Sequence, residues 1–312
     1  MHIRWYRVSS EANVFMVPSD YSVPNDVIRI GRWTYEHEDA GDGFSIRAIP
    51  ETSEWSPLSC RINDAFKLQN YSPETVFQCT ANHNIKSIVT LGGSTSNYII
   101  HDFSSWLEHD GSIPEDKMND HTKLRGGPHL KQAAANARGL LLETMLCKSA
   151  NPLSFREFLN DERFYENSLV IFNSGLWDMR ANDIEQYEKD IHKLAQVFAQ
   201  YKIDHPTSRL IWRASGTPNW DRLANQNDPR AFEKLLAADN VAIYNLIASS
   251  AMETHGIEIF DDSLMILGRP EETRTATDGL HPGTHMNNEL MRLLLSVICS
   301  DGHWNTGSAV GV

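Results

Sequence analysis

Two short stretches of the chain hold side chains able to do acyl-transfer chemistry. In the first, Ile85-Lys-Ser-Ile-Val-Thr-Leu-Gly-Gly-Ser-Thr-Ser96, an apolar run of β-formers breaks at Gly92-Gly93 and presents Ser94. In the second, Thr277-Asp278-Gly-Leu-His281-Pro-Gly283, an acid precedes a histidine by three residues in a Gly/Pro-rich loop. A serine hydroxyl becomes a nucleophile when a base takes its proton, and the base needs a third group to hold its other nitrogen in the right tautomer. Ser94, His281 and Asp278 fill those roles, in chain order Ser, Asp, His. Each piece alone has a plainer reading, Ser94 as a helix cap and Asp278-Gly279 as a turn. It is the pair that points to a triad.

The elements around these stretches place them. The run to Leu91 is too short for a helix and reads as a buried strand. Tyr98, Ile99, Phe103, Trp106 and Leu107 then recur at helical spacing, so Ser94 opens a helix whose first amides face outward. Residues 129–147, Ala- and Leu-rich and led in by Gly126-Gly127-Pro128, have helical propensity. Ser168-Leu-Val-Ile-Phe-Asn173 is a second buried strand. Ile184, Tyr187, Ile191, Leu194, Phe198 and Tyr201 follow as one helix face. Arg209–Arg213 is a third strand, a helix runs from about 229 to 254 before Gly256, Ile257–Phe260 is a fourth strand, and 288–299 is a final helix. Apolar strands alternating with amphipathic helices predict an α/β fold, a doubly wound, mostly parallel sheet covered on both faces. In such sheets ligands bind beyond the carboxyl ends of the strands, where Ser94, Gly175, Ser215 and the Asp278–His281 loop all fall.

Composition narrows the class. The chain has 312 residues, 41% of them hydrophobic, enough for a sizeable core. Its net charge of −13, spread along the chain, argues against nucleic acid or an anionic membrane as the main partner. No apolar run approaches the length of a membrane span, and residues 1–10 do not read as an export signal. Cys60, Cys79, Cys147 and Cys299 lack zinc-type spacing, and Pro282-Gly283 breaks the helix that a His281/His285 metal pair would need. The expectation is therefore no metal and no cofactor. Cys60 and Cys79 flank the approach to the first strand and Cys299 ends the last helix. Bridges among them would tie the N-terminal segment to the core and favour a secretory-lumen or extracellular location, with the cytoplasm as the alternative.

The same residues resemble the SGNH (GDSL-like) hydrolase superfamily, with Gly92-Gly93-Ser94 in the place of its first block and Asp278-Gly-Leu-His281 in the place of its last. The closer resemblance is to the PC-esterase branch, which includes trichome birefringence-like polysaccharide O-acetyltransferases and esterase relatives. It rests on Trp55-x-Pro57-x-x-Cys60, Phe77-x-Cys79, Phe172-Asn-Ser-Gly-Leu-Trp177-Asp178, Ile211-Trp-Arg213 and Leu293-Leu-Leu-Ser-Val-Ile-Cys299. The resemblance implies an SGNH-type, flavodoxin-like domain over 55–300, while 1–54, mixing aromatics, charges and turn residues without a sustained period, reads as an irregular segment packing on it and 301–312 as a tail. It also implies a serine esterase or acyltransferase acting on O-acyl groups of a small molecule or polysaccharide, O-acetyl on carbohydrate foremost. Water and sugar acceptors use the same triad, so hydrolase and transferase stay equally open.

Two departures from the family pattern stand out. Gly93 occupies the place of an acid, and Trp177 the place of the Asn that donates to the oxyanion. They favour the alternative of a degenerate member that binds glycan or protein without turnover. For an enzyme, the amides of Ser94 and Gly127 are candidate oxyanion donors. Asn173, ending the second strand, is preferred over the Trp177 indole as the side-chain donor, and Trp177 is a candidate sugar platform. Asp178 reads as a structural acid bonding loop amides.

Overall fold

The computed structural model describes residues 31–33, 55–57, 72–113, 134–137, 139–219, 238–263, 266, 273–274 and 279–300. Strands β1 (Gly31–Trp33) and β2 (Trp55–Pro57) form a separate antiparallel pair. The main body follows as α1 (Pro73–Asn82), β3 (Ser87–Gly92), α2 (Ser94–Glu108), β4 (Ala134–Ala137) and β5 (Leu140–Leu146). After these come α3 (Arg156–Leu159), β6 (Ser168–Phe172), α4 (Asp178–Ala181), α5 (Ile184–Asp204), β7 (Arg209–Arg213), α6 (Ala238–Thr254), β8 (Glu258–Phe260) and α7 (Thr284–Ser300).

Six strands form one sheet in the order β4-β5-β3-β6-β7-β8, parallel except for the antiparallel edge strand β4. Alternate residues of each strand enter opposite cores. Val89, Leu91, Val170, Phe172 and Trp212 pack with α5 and α6, while Ile88, Leu169, Ile171 and Ile211 pack with α2 and α7. Strands buried on both faces need apolar residues at every position, which is why β3 and β6 read as continuous apolar runs. The expected doubly wound α/β architecture is what the chain adopts. No described helix is long and apolar enough to cross a membrane.

One element differs from expectation. Residues 140–146 are a strand, with Leu141 to Leu146 registered against Ser87 to Gly92, and 134–137 pair with it. The helical propensity of this Leu-rich stretch is outweighed by burial between β3 and β4, and a fully buried strand shows no alternation to betray it. The helix expected from about 229 is described from Ala238, and Gly256 follows its end at φ +65°. A disulfide joins Cys79 on α1 to Cys299 on α7, with Cα atoms 5.7 Å apart. Cys60 lies outside the described residues.

The strand order sets where a site can form. The winding order reverses across the sheet between β3 and β6, which stay parallel: the first crossover, from β3, runs outward to β5, and the next returns to the other side of β3. At such a switch point the loops after the two central strands part and leave a crevice. The loops after β3 and β6 carry Gly93-Ser94 and Asn173–Trp177.

Candidate active site

Ser94 is the first residue of α2, and its position follows from tight packing at the end of β3. A side chain on Gly92, at φ +155°, would come within 2.7 Å of Ser96 Oγ and 3.0 Å of the Asn173 carbonyl, so only glycine fits where the chain crosses the end of β6. Gly93 caps α2 without a side chain. Ser96 and Asn97 donate back to the Gly93 carbonyl, so Ser94 and Thr95, which border the crevice, carry first-turn amides that have no intrahelical partner, at the positive end of the helix dipole.

His281 meets this serine from the far end of the chain. Its Nε2 is 2.7 Å from Ser94 Oγ, across 187 residues of sequence. The histidine loop is fixed through both backbone and side chain. The Arg274 amide donates to the His281 carbonyl (2.9 Å), Thr273 bridges Pro282, and the Asn287 amide donates to the Gly283 carbonyl (3.0 Å). Tyr98, one turn into α2, sets its ring edge-on to the His281 imidazole at 5.0 Å, and the Arg274 guanidinium lies 3.9 Å from the Tyr98 ring centre.

Arg274 is in turn locked to Asp102, two turns after the serine on α2. Two guanidinium nitrogens donate to the two Asp102 oxygens at 2.7 and 2.5 Å, and the Asn287 side chain adds a third bond at 2.7 Å. Both charged side chains are almost wholly buried, at 0% and 2% exposure. One ion pair thus joins the helix that Ser94 opens, the histidine loop and α7. Sequence reading missed it, because a lone acid inside a helix and a lone arginine in a loop leave no spacing to notice.

Behind the loop after β6, Asp178 accepts from the Gly175 and Ala150 amides (3.0 and 2.9 Å), the Ser149 hydroxyl and the Asn182 amide. It is the structural acid expected, pinning the loops after β5 and β6 to each other. Burial pushes its carboxyl above the ordinary range, against those four donors. Gly175 sits at φ +122°, and because its amide serves Asp178 it is not available to an oxyanion.

The Asn173 expectation needs correction. Its side-chain nitrogen donates to the Arg213 carbonyl (2.7 Å) and to Ser215 Oγ (3.2 Å), so both amide protons are spent, and the Arg213 carbonyl fixes which end of the amide is nitrogen. Trp177 is half-buried and forms a wall of the crevice. A Cβ added to Gly93 would lie 3.1 Å from Trp177 Cδ1 and Nε1. Gly93 and Trp177 are therefore one steric arrangement: the indole lies so close that a side chain at 93 would have to push it back by a few tenths of an ångström. Gly93 itself is in ordinary extended backbone, so the constraint is contact with the indole and not conformation. Gly127 and Asp278 lie outside the described residues.

The crevice encloses about 240 Å³ and is bounded by Gly93, Ser94 and Thr95, by Cys147 and Lys148 after β5, by Asn173 to Trp177 and Arg180, and by Leu280 and His281. Cys147 is not a reactive thiol. It is buried, and desolvation pushes its thiol up to about 12, so the reactive thiolate is not formed at neutral pH. Among the described residues no group of three His, Cys, Asp or Glu side chains could hold a metal ion.

The sequence matches no protein-family model and no curated protein. Among solved structures, similar chain paths occur in a carbohydrate acetylesterase from Sinorhizobium meliloti (14% identity, covering 67% of this chain and 96% of that one, TM-score 0.42). They occur also in an aryl esterase from M. smegmatis (14%, 67% and 96%, TM-score 0.39) and an acetyl xylan esterase from Geobacillus stearothermophilus (13%, 68% and 94%, TM-score 0.38). These are likenesses of outline alone.

Proposed function

We propose that the chain is a serine esterase or acyltransferase of SGNH type, acting on O-acyl groups of a small molecule or polysaccharide, O-acetyl on carbohydrate foremost. The observation that carries the reading is the 2.7 Å contact between Ser94 Oγ and His281 Nε2, made at an uncapped helix end in the switch-point crevice. Ser94 attacks the ester carbonyl while His281 accepts its proton, and the tetrahedral oxyanion forms beside the Ser94 and Thr95 amides. The C–O bond to the alcohol then breaks, and the departing oxygen takes the proton from His281. The acyl-serine is relieved by water, or by a sugar hydroxyl in a transferase, with His281 again the base. Asp278, three residues before the histidine, is proposed to orient its ring.

The paired Gly93 and Trp177 fit this reading, because they shape the wall of the crevice and leave the Ser94–His281 contact intact. The test is hydrolysis of 4-nitrophenyl acetate and an acetylated xylo-oligosaccharide by the wild type, Ser94→Ala and His281→Ala. Loss of at least about 10³-fold in kcat/KM in both variants, with melting temperatures unchanged, is expected. Turnover by the wild type that survives Ser94→Ala would refute the assignment.

A further inference from the structure

The first turn of α2 supplies backbone amides to an oxyanion, but the side-chain donor expected beside them, Asn173, is spent on Arg213 and Ser215. One polar hydrogen at the crevice has no such duty. Trp177 is half-buried and borders the crevice, and among the described residues nothing accepts a hydrogen bond from its indole N–H. The edge that carries this hydrogen lies against the turn before Ser94: a Cβ on Gly93 would stand 3.1 Å from Trp177 Nε1 and 3.1 Å from Cδ1. With Gly93 extended, at ψ −173°, backbone geometry puts that same carbon about 3 Å from the Ser94 nitrogen. The indole and amide nitrogens are therefore no more than about 6 Å apart. Two donors that each reach one oxygen at about 2.7–3.1 Å stand up to about 6 Å apart, so a single oxygen can accept from both. The ring is also steadied: Lys148 Nζ and Arg180 Cζ lie 5.3 and 4.8 Å from its centre, contacts that restrict its swing. A donor fixed beforehand costs no reorganisation when charge develops.

We propose that Trp177 is a catalytic residue, its indole N–H donating to the oxyanion of the tetrahedral intermediate together with the Ser94 amide. This role rests on the serine-ester reading and supplies the side-chain donor that reading lacks. As Ser94 Oγ bonds to the carbonyl carbon, the electron pair of the C=O bond moves on to its oxygen, and the indole hydrogen bond strengthens with that charge. When the C=O bond re-forms and the alcohol leaves, the hydrogen bond weakens again; the indole keeps its proton throughout. Glycine at 93 belongs to the same device, because it admits the N–H edge that any larger residue would hold back. A ring serving only as a wall or a sugar platform would use its face, and its N–H would contribute nothing to the rate.

The experiment separates the N–H from the ring. Placing 3-benzothienylalanine at 177 by amber suppression puts sulfur where the N–H was, on a ring of nearly the same shape, and Trp177→Phe keeps an aromatic wall by ordinary mutagenesis. Hydrolysis of 4-nitrophenyl acetate is expected to lose about 10²-fold in kcat/KM in both, with melting temperatures unchanged. The second readout is the indole N–H resonance of ¹⁵N-tryptophan protein, assigned by its absence from Trp177→Phe. It is expected to move downfield when a fluorophosphonate forms its tetrahedral adduct on Ser94, whose P=O oxygen stands in for the oxyanion. A benzothienyl variant as active as the wild type overturns the proposal, even where Trp177→Phe is impaired, since the ring alone is then what matters. An indole resonance that stays in place in the Ser94 adduct overturns it equally. A wild type that neither hydrolyses the ester nor forms the adduct brings down the serine-ester reading itself, and the oxyanion role with it. Turnover or labelling of Ser94 in the wild type upholds that reading, and the variants then decide Trp177 alone.

Discussion

Replacing Asp102 by Asn separates the positioning of His281 from the chemistry of Ser94. Asp102 receives two guanidinium bonds and the Asn287 amide inside a core where neither it nor Arg274 meets solvent. Neutralising it leaves the Arg274 charge buried without its counter-ion, at a cost of about 3–5 kcal/mol. For a domain of this size that lowers Tm by about 10 °C. The Asp102→Leu/Arg274→Met double variant removes both charges and recovers most of the lost stability, because well-packed apolar residues replace a buried pair at little net cost. It does not restore the support under Tyr98, whose ring borders His281 at 5.0 Å, so the rate of covalent labelling of Ser94 stays about tenfold below wild type. Differential scanning fluorimetry and stopped-time labelling with a fluorophosphonate measure the two quantities on the same samples. An Asp102→Asn protein melting within about 2 °C of wild type would refute the energetic argument. A double variant that regains both stability and labelling rate would refute the positioning role.

Three further outcomes follow from single features. Gly93→Asp lowers kcat/KM by about 10²-fold through collision with the Trp177 indole, and Gly93→Asp/Trp177→Asn recovers part of it. Equal activity of Gly93→Asp and wild type in the ester assay would show that the two sites are not coupled. Burial raises Asp262 to about 6 despite Arg213 Nε at 2.6 Å. The folded protein then holds more protons than the unfolded chain between about pH 4 and 6, so this group's contribution to stability falls as pH rises through that window. Urea titrations of wild type and Asp262→Asn check this: the variant loses that part of the slope, and an unchanged slope contradicts it. Cys79→Ser, which opens a bridge spanning 220 residues, destabilises the fold by about 4 kcal/mol in urea, where a loss below about 1 kcal/mol would contradict the role given to the bond. We propose an oxidising compartment from the placement of the cysteines in the sequence, and titration of denatured, unreduced protein finding all four cysteines as thiols would reverse that.

Much of this molecule was legible before its structure. The 3, 4, 3, 4, 3 spacing from Ile184 to Tyr201 marks α5, although Ile184 itself is partly exposed, and the apolar runs ended by Gly92, Asn173 and Arg213 mark three strands. Gly-Gly-Ser and Asp-x-x-His singled out Ser94 and His281, which the fold brings within 2.7 Å of each other, because turn residues and polar side chains leave a local mark. What escaped depends on tertiary burial. Residues 140–146 have helix-forming side chains and become a strand only because β3 and β4 flank them. That misreading also hid Lys148, which stood at a helix end in the sequence and stands at a strand's carboxyl end in the fold. The Asn173 donor failed for a related reason: its partners, Arg213 and Ser215, are 40 and 42 residues away and come beside it only when β6 and β7 pair.

The central claim is that Ser94 is a nucleophile activated by His281. Incubation with a fluorophosphonate probe, followed by peptide mass spectrometry, tests it without knowledge of the natural substrate. The account predicts a single adduct on Ser94 in the wild type, none in Ser94→Ala, and labelling slowed by at least about 10²-fold in His281→Ala. An unmodified Ser94 in folded wild-type protein, or an adduct that forms as fast without His281, would contradict it.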